Sequence, residues 1–517
     1  MFDDVSSVDI IINLSSMRMV VIVAKFFMSM VIVMMVAVMV VLIVVALVLL
    51  LLMKTCLDDK VEVLRCRAQS ALGVGKGRLV DSCGTVLDAS APIKRARLQN
   101  GDSLTLHINR LQIQACGTAF AAILGDGSVL SWGTFDGLDT CTVQEQLKTV
   151  QQVQASYAAF AAILADGSVR TWGAVDDRVK ASAVQKQLKT VQQIQATDGA
   201  FAAVLGDGSV VTWGDAGDGG DSSAVQDQLK NVQQIQASDH AFAAIRGDGS
   251  VVTWGDADFG DDSSAVQAQL KNVQQIQATG RAFAAILGDG SVVTWGDADR
   301  GGDSSAVQKQ LKTVQQIQAT DGAFAAVLGD GSVVTWGGDG GDSSAVQNQL
   351  KNVQQIQATD GAFAAVLGDG SVVSWGYADG GGDSSAVQDQ LKSVHQIQAT
   401  QGAFAAILGD GSVVTWGDAD YGGDSSAVQD QLKNVQQIQA TGRAFAAVLG
   451  DGSVVTWGNS DCGGDSGAVQ DQLKNVEQIQ ASRRAFAAIL GDGSVVTWGD
   501  AHGGGDSTAV QVQLKHV

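Results

Sequence analysis

Residues 191–231 carry the phrase that decides the fold: VQQIQATDGAFAAVLGDGSVVTWGDAGDGGDSSAVQDQLKN. The phrase recurs ten times, and all ten tryptophans of the chain stand at the same place in it. Their spacing is 39 to 41 residues, and they are Trp132, Trp172, Trp213, Trp254, Trp295, Trp336, Trp375, Trp416, Trp457 and Trp498. A fixed period of this length indicates one supersecondary unit that is copied, because a single copy cannot bury its own apolar face.

Each unit is predicted to contain three β-strands. In the quoted copy they are residues 191–196, 200–205 and 209–213, and the last two flank Gly206-Asp207-Gly208. An Asp-Gly turn between two β-rich runs predicts a hairpin, since glycine supplies the positive φ that the turn needs. Both of these strands are apolar on both faces, so they are expected to be covered on both sides.

The end of each unit, residues 223–230 in the quoted copy, has a less certain pattern. Asp221 and Ser222 resemble helix caps, and Val225 and Leu229 have helical spacing. We expect either one or two helical turns or a short outer strand. Three strands and this rim segment, repeated, form a propeller blade.

The phrase AFAAVLGDGSVVTWGD after V-x-x-I-x-A resembles the repeat of the regulator of chromosome condensation family, whose members are β-propellers, usually of seven blades. The resemblance covers residues 111–517. The expected fold class is all-β, a β-propeller-like array of ten repeats of about 41 residues. Ten repeats could close as one ring, form seven blades with three left over, or wind openly.

Composition narrows the classes of partner. The net charge is −21, and the acidic residues concentrate in the loops after each Trp-Gly. Nucleic acid is excluded as a direct partner, because phosphate binding needs a basic surface. The six cysteines have no repeating or paired spacing, so neither a disulfide framework nor a zinc site is predicted.

The N-terminal part differs from the repeats. After a tail at residues 1–25, residues 26–53 are 28 residues without a charge. A helix of that length spans a hydrocarbon core of about 30 Å, so we predict one transmembrane helix and a single-pass membrane protein. More basic residues follow the run than precede it, which places the repeat domain in the cytoplasm. The alternative is a low-complexity or misassigned start that never meets a bilayer.

Residues 60–110 resemble the second half of a ubiquitin-like β-grasp domain, in the order helix, RLVDSCGTVLD and LQNGDSLTLHI. The helix is expected over residues 61–69, with strands at residues 78–81, 85–88 and 102–108. In that family an opening β-hairpin precedes the helix. Its place is taken here by the apolar run, so the sheet is expected to lack two strands.

Catalysis is not predicted. The loops at residues 215–221 and 256–262 alternate carboxylates as calcium loops do, but they lack the EF-hand spacing and its closing glutamate. The five histidines occupy unrelated positions, and the glycine-rich loops lack the Lys-Ser/Thr ending of a phosphate-binding loop. We therefore expect no enzyme activity, no cofactor and no metal.

Two loops vary from copy to copy while the framework hardly changes. One precedes the phenylalanine strand and the other follows Trp-Gly. Aromatic and arginine side chains on a ring of loops are typical of protein-binding surfaces. The candidate binding residues are His240, Phe259, Arg281, Arg300, Tyr377, Tyr421, Arg443, Arg483 and Arg484. The alternative is drift at exposed positions.

The predicted function is that of a membrane-anchored, non-catalytic β-propeller that serves as a protein–protein interaction scaffold. The alternative is a regulatory factor, either for guanine-nucleotide exchange on a small GTPase or for substrate recruitment in ubiquitin ligation, as the resemblance implies. The even spacing leaves no insertion of the kind that the family's exchange factor uses, and this weakens the exchange reading.

Overall fold

The computed structural model describes residues 7–10, 59–72, 77–83, 85–89, 91–96, 98, 103–107, 111–133, 146–173, 181–338 and 340–514.

An N-terminal module precedes the repeats. It contains strand β1 (Ser7–Ile10), helix α1 (Val61–Leu72) and strands β2 (Arg78–Asp81) and β3 (Leu104–His107). The three strands form one antiparallel sheet in the order β1-β3-β2. The helix begins with Val61 and Leu64 packed on the sheet residues Leu79, Leu104 and Leu106, and these five form the centre of a small core.

This module agrees only in part with the sequence expectation. The helix expected over residues 61–69 is confirmed and extends to Leu72, and the strand at residues 78–81 is confirmed. The strand expected at residues 102–108 is present over Leu104–His107. Residues 85–88 are not a strand, because only one bridge, Val80 to Val86, joins them to the sheet. A ubiquitin-like fold of residues 60–110 is not shown.

The predicted single-pass membrane protein is contradicted. None of the helices in the described ranges has both the length and the apolar character that crossing a membrane requires. Helix α1 has 12 residues and contains Glu62 and Arg65. It is about 18 Å long, against a hydrocarbon core of about 30 Å. The apolar run at residues 26–53 lies outside the described residues, and the cytoplasmic placement that depended on it has no support.

Ten three-stranded antiparallel sheets follow, one for each repeat, and the predicted all-β array is confirmed. The strands of repeats 1 to 10 are β4–β6 (Gln112–Ala115, Ala119–Ile123, Val129–Gly133), β7–β9 (Val150–Ala155, Ala159–Leu164, Val169–Gly173), β10–β12 (Val191–Ala196, Ala200–Leu205, Val210–Gly214), β13–β15 (Val232–Ala237, Ala241–Arg246, Val251–Gly255), β16–β18 (Val273–Ala278, Ala282–Leu287, Val292–Gly296), β19–β21 (Val314–Ala319, Ala323–Leu328, Val333–Gly337), β22–β24 (Val353–Ala358, Ala362–Leu367, Val372–Gly376), β25–β27 (Val394–Ala399, Ala403–Leu408, Val413–Gly417), β28–β30 (Val435–Ala440, Ala444–Leu449, Val454–Gly458) and β31–β33 (Val476–Ala481, Ala485–Leu490, Val495–Gly499).

The hairpin of each repeat gives the sheet two ends, which we name. In repeat 3, Phe201 is opposite Trp213 and Val204 opposite Val210, and Gly208 at the turn has φ +78°. The Asp-Gly-Ser turns therefore lie at one end of the sheets, which we call the turn face. The turn after the first strand and the loop after the third strand lie at the other end, which we call the loop face. First strands of successive repeats contact each other and are the inner strands.

The segment after the third strand returns along the outer edge of the sheet. In repeat 3 the backbone makes three i to i+3 hydrogen bonds over residues 222–229, in which the N–H groups of Val225, Gln228 and Leu229 are the donors. Gln226 Nε2 donates to Val210 O, so this side chain covers the open edge of β12. The predicted helical turns are confirmed, and the alternative of an outer strand is wrong because a glutamine side chain takes the place of a strand's backbone.

Short helical turns mark the loops and the end of the chain. They are the 3₁₀ turns Ala181–Ala183, Ala257–Phe259, Ala298–Arg300, Ala419–Tyr421, Ser460–Cys462, Gln470–Gln472 and Ala501–Gly503, the π turns Ala216–Gly220 and Ala378–Gly382, and the terminal helix α2 (Gln511–Leu514).

The core consists of one layer between each pair of neighbouring repeats. Ala241 and Ala243 of repeat 4 present small side chains to Phe283 and Trp295 of repeat 5. The phenylalanine and tryptophan of each repeat stack with ring centroids 5.1–5.4 Å apart. Small residues on one face and large ones on the other let identical units interdigitate at the density of protein interiors. The expectation of strands covered on both faces is confirmed.

Repeat 10 contacts repeat 1 through the same kinds of contact. Ala485 and Ala487 pack against Phe120 and Trp132. Trp132 Nε1 donates to Gly504 O at 3.1 Å, as Trp295 Nε1 donates to Gly260 O of the preceding repeat at 3.0 Å. Two kinds of contact that join neighbouring repeats within the array, the tryptophan hydrogen bond and the apolar layer, therefore also join repeat 10 to repeat 1.

Candidate functional site on the loop face

The turns that follow the inner strands form a collar on the loop face. Each repeat contributes one collar residue, and the backbone N–H of one donates to the carbonyl of the next over 2.9–3.2 Å through nine consecutive links. The collar residues are Gly117, Tyr157, Asp198, Asp239, Gly280, Asp321, Asp360, Gln401, Gly442 and Arg483. Because the backbone is tied from repeat to repeat, side chains at these positions are held in a fixed order.

A cavity of about 530 Å³ opens beside the collar and is lined by repeats 1 to 6. Its lining includes Tyr157, Asp198 and Asp239, together with the alanines that end the inner strands. Tyr157 is 43% exposed, which is unusual for an aromatic side chain of this molecule. The cavity is thus a concave, polar surface with one aromatic side chain at its edge.

The collar carboxylates are held in an unfavourable environment. Burial, and then the negative charges of Asp198 and Asp321, raise the pKa of Asp239 to about 6. Burial also raises the pKa of Asp198 and Asp360, while the positive charge of Arg483 opposes the rise at both. Carboxylates in this condition gain stability when a positive charge approaches. The collar therefore favours the binding of positively charged groups.

The candidate residues His240 and Phe259 of repeat 4 meet Arg281 across the boundary with repeat 5. His240 Nδ1 lies 2.6 Å from Asp218 Oδ1 of the preceding repeat. The rings of Phe259 and His240 meet edge-on, with their centroids 4.2 Å apart. The guanidinium carbon of Arg281, in the next repeat, lies 4.5 Å from the centroid of the Phe259 ring. Cation–π contacts of this kind stabilise exposed sites by about 0.5–1 kcal/mol.

The same pairing recurs in other repeats. Arg443 covers the ring of Tyr421 of the preceding repeat at 4.6 Å. Arg300 Nη1 donates to Asp321 Oδ2 of the next repeat at 2.9 Å. Arg484 pairs with Asp500 of its own repeat at 2.9 Å. Seven of the nine predicted residues therefore make side-chain contacts of the ion-pair or aromatic kind described above.

Tyr377 and Arg483 are the other two predicted residues. Tyr377 is 57% exposed and begins the loop of repeat 7, packed beside Gly361. Arg483 is an exposed collar residue. All nine predicted residues lie on the loop face. Sequence reasoning missed Tyr157 and the collar as a unit, although variation at this one position of each copy was the available signal.

The acidic loops hold their own backbone. Asp215 Oδ1 accepts the N–H of Gly217, and Asp256 Oδ1 accepts the N–H of Asp258. Side chains used in this way define the turn. Within the residues that the structure describes, no cluster of three or more histidine, cysteine, aspartate or glutamate side chains has the geometry of a metal site.

Comparison with known proteins gives resemblance of fold only. No protein-family model matches the chain, and no curated protein matches it. The solved structures to which it is similar include the CRINKLY WD40 ectodomain of the receptor kinase ACR4 from Arabidopsis thaliana, at 16% identity over 52% of this chain and 95% of that one, with a TM-score of 0.29.

Two further solved structures are also similar to the chain. Prp20p from Saccharomyces cerevisiae is 14% identical over 52% of this chain and 83% of its own, with a TM-score of 0.29. The computationally designed protein Ika8 is 13% identical over 68% of this chain and 96% of its own, with a TM-score of 0.28. Scores of this size carry no argument about this chain, so its architecture rests on the ten sheets and on the contacts between them.

Proposed function

We propose that the chain is a non-catalytic β-propeller scaffold that binds a protein partner through the loop face. The observation that carries this proposal is the cavity beside the collar, where the exposed Tyr157 lies next to the carboxylates of Asp198 and Asp239. Interfaces that bind proteins concentrate tyrosine and arginine at their centre, with polar groups around them.

The proposal includes closure of all ten repeats into one ring. Its support is the pair of contacts between repeats 10 and 1, the Trp132 hydrogen bond to Gly504 O and the apolar layer around Phe120. Neighbouring hydrogen-bonded chains lie about 4.8 Å apart, so ten collar residues span a ring of roughly 15 Å between opposite Cα atoms. Such an opening admits a side chain or an extended segment, whereas a folded domain stays outside.

The test compares exposed aromatic residues on the loop face with an apolar residue elsewhere. We would immobilise the full-length protein, identify captured proteins by mass spectrometry, and repeat the capture with Tyr157→Ser/Tyr377→Ser. Val512→Ser is the matched control, because Val512 is 76% exposed and lies on the edge segment of repeat 10. A partner retained by the control and lost from the double variant supports the proposal. Equal capture by all three proteins refutes it.

Regulation of a small GTPase, or recruitment for ubiquitin ligation, stays a prediction from the sequence resemblance. A nucleotide-exchange assay against a panel of small GTPases tests the first of these.

A further inference from the structure

The turn face repeats one small structure ten times. Each Asp-Gly-Ser turn is closed by its aspartate, whose Oδ1 accepts from the backbone N–H and the hydroxyl of the serine two residues later, as in Asp289 and Ser291 at 2.9 and 2.6 Å. These hydrogen bonds lower the pKa of the aspartate, so the carboxylate is ionised at neutral pH. The ten aspartates are Asp126, Asp166, Asp207, Asp248, Asp289, Asp330, Asp369, Asp410, Asp451 and Asp492.

The turn of repeat 1 is occupied by two arginines of the N-terminal module. Arg65 Nη1 donates to Asp126 Oδ2 at 2.8 Å, and Arg78 Nε donates to the backbone carbonyl of Asp126, also at 2.8 Å. Only 11% of the Arg65 side chain and 17% of the Asp126 side chain remain exposed. The module therefore reveals a ligand for this turn, a guanidinium group that binds the free carboxylate oxygen, with a second guanidinium on the carbonyl beside it.

Repeat 4 shows the same preference independently. Here an arginine, Arg246, stands where most other repeats have leucine, and its Nη2 lies 3.6 Å from Asp248 Oδ2. In two of the ten turns an arginine thus lies beside the aspartate Oδ2, while the serine donates to Oδ1.

The same pair of acceptors recurs in the other repeats. In repeats 5 to 9 the five aspartates are exposed, and Oδ2 has no hydrogen-bond or ion-pair partner among the described residues. Lysines stand near this face as well, and Lys230 lies 3.6 Å from Asp227. Net charge alone therefore does not distinguish this surface. What distinguishes it is the pair of acceptors, Oδ2 and the carbonyl, which suits donors of fixed geometry.

We propose that the turn face is a repeated docking surface for an arginine-bearing polypeptide, each Asp-Gly-Ser turn receiving guanidinium groups as the turn of repeat 1 receives Arg65 and Arg78. Arginine fits better than lysine because its planar guanidinium presents several donors in fixed directions. Several equivalent turns in one chain raise the affinity for a partner with several arginines, since each binding event after the first is intramolecular. This surface is distinct from the loop face and goes beyond the function proposed above.

The test uses the full-length protein and a synthetic peptide of alternating arginine and glycine, with an otherwise identical lysine peptide for comparison. Binding is measured by fluorescence anisotropy at several salt concentrations. The turn-face variant is Asp289→Asn/Asp330→Asn/Asp369→Asn/Asp410→Asn/Asp451→Asn, in which asparagine Oδ1 still accepts from the serine. The matched control removes five exposed carboxylates from the loop face and is Asp258→Asn/Asp299→Asn/Asp379→Asn/Asp420→Asn/Asp461→Asn.

We expect the turn-face variant to bind the arginine peptide at least tenfold more weakly than the wild type does. The loop-face control should change the affinity for this peptide less than threefold. The wild type should bind the lysine peptide at least fivefold more weakly than the arginine peptide. Equal weakening by both variants would mean attraction to net charge and would overturn the proposal, as would equal binding of the two peptides. Hydrogen exchange of the wild type, measured with and without the arginine peptide, is a second test that does not depend on whether the variants fold. Protection on peptide binding is expected at the Asp-Gly-Ser turns, and protection confined to the loop face contradicts the proposal.

Discussion

The contribution to stability of the hydrogen bond between a repeat's tryptophan and the preceding repeat can be measured by comparing two sites. Trp295 is 4% exposed, stacks on Phe283, and donates from Nε1 to Gly260 O at 3.0 Å. Trp375 is 3% exposed and stacks in the same way on Phe363, but its Nε1 has no hydrogen-bond partner in the described part of the chain. The two sites differ because the loop before Trp375 is two residues shorter.

Replacing each tryptophan with phenylalanine removes a similar apolar area at the two sites. At Trp295 the change also leaves the Gly260 carbonyl without its donor, which costs about 1–3 kcal/mol for a buried group. At Trp375 the change removes a buried N–H that was already unpaired, which offsets part of the lost packing. We therefore expect Trp295→Phe to lose about 2 kcal/mol more of the free energy of unfolding than Trp375→Phe.

Urea unfolding of the full-length variants, followed by tryptophan fluorescence and circular dichroism, measures this difference. Trp295→Ala is the reference for complete loss of the ring, which typically costs about 3–5 kcal/mol. The reasoning is refuted if Trp295→Phe and Trp375→Phe have the same midpoint and the same slope. That result would show that packing between repeats, without the hydrogen bond, accounts for the stability of the interface.

Three further perturbations test other parts of the account. Because the pKa of Asp239 is raised to about 6 from 3.8, the folded state binds more protons than the unfolded state between those values, and stability falls as pH rises through that window. Asp239→Asn should therefore raise the melting temperature at pH 7.5 and lose this gain by about pH 4, and a gain that is constant with pH would contradict the assignment. Thr313 has a φ of +58°, and Asn272 stands at the equivalent position of the preceding repeat. Thr313→Asn should therefore raise the free energy of unfolding by about 1 kcal/mol and Asn272→Thr should lower it by as much, with opposite shifts in the urea midpoint. Shifts of the same sign would contradict backbone strain at Thr313. Residues 111–517 should fold without the first 110 residues, giving one cooperative thermal transition, and aggregation without a transition would mean that the contacts of Arg65 and Arg78 with repeat 1 are required.

The repeats could be predicted from the sequence because their determinants are local. The second strand, Ala200–Leu205, has the predicted bounds, and the third begins one residue later than expected. The apolar, β-rich runs, the Asp-Gly turn and the Trp-Gly that recurs in every copy lie within about 25 residues of each other, and the same pattern occurs ten times. The tryptophan of each repeat is buried and stacks on the phenylalanine of its own repeat, as Trp295 does on Phe283.

The relations between repeats could not be predicted in the same way. No local pattern indicates that Gln226 replaces an outer strand by covering the edge of β12, because a glutamine near the end of a polar segment also suits a solvated loop. Strand β1 was missed because the whole N-terminus had been assigned to a tail before an anchor. The docking of Arg65 on Asp126 joins residues 61 positions apart, and a charge pair at that separation has no sequence signature.

The variable loops illustrate how one observation changes meaning between sequence and structure. An aromatic or arginine residue that varies between copies suggests a binding surface, yet Phe259 is covered by Arg281, and Tyr421 by Arg443. In both cases the residue in the loop of one repeat matches the residue in the turn of the next, so the variation is correlated across the boundary. Such pairs stabilise the boundary, and truncating one member exposes the other. Loss of partner binding in Phe259→Ala would therefore report a local rearrangement as readily as a lost contact. Tyr157, with 43% of its surface exposed at the edge of the cavity, is the more direct probe of the loop face.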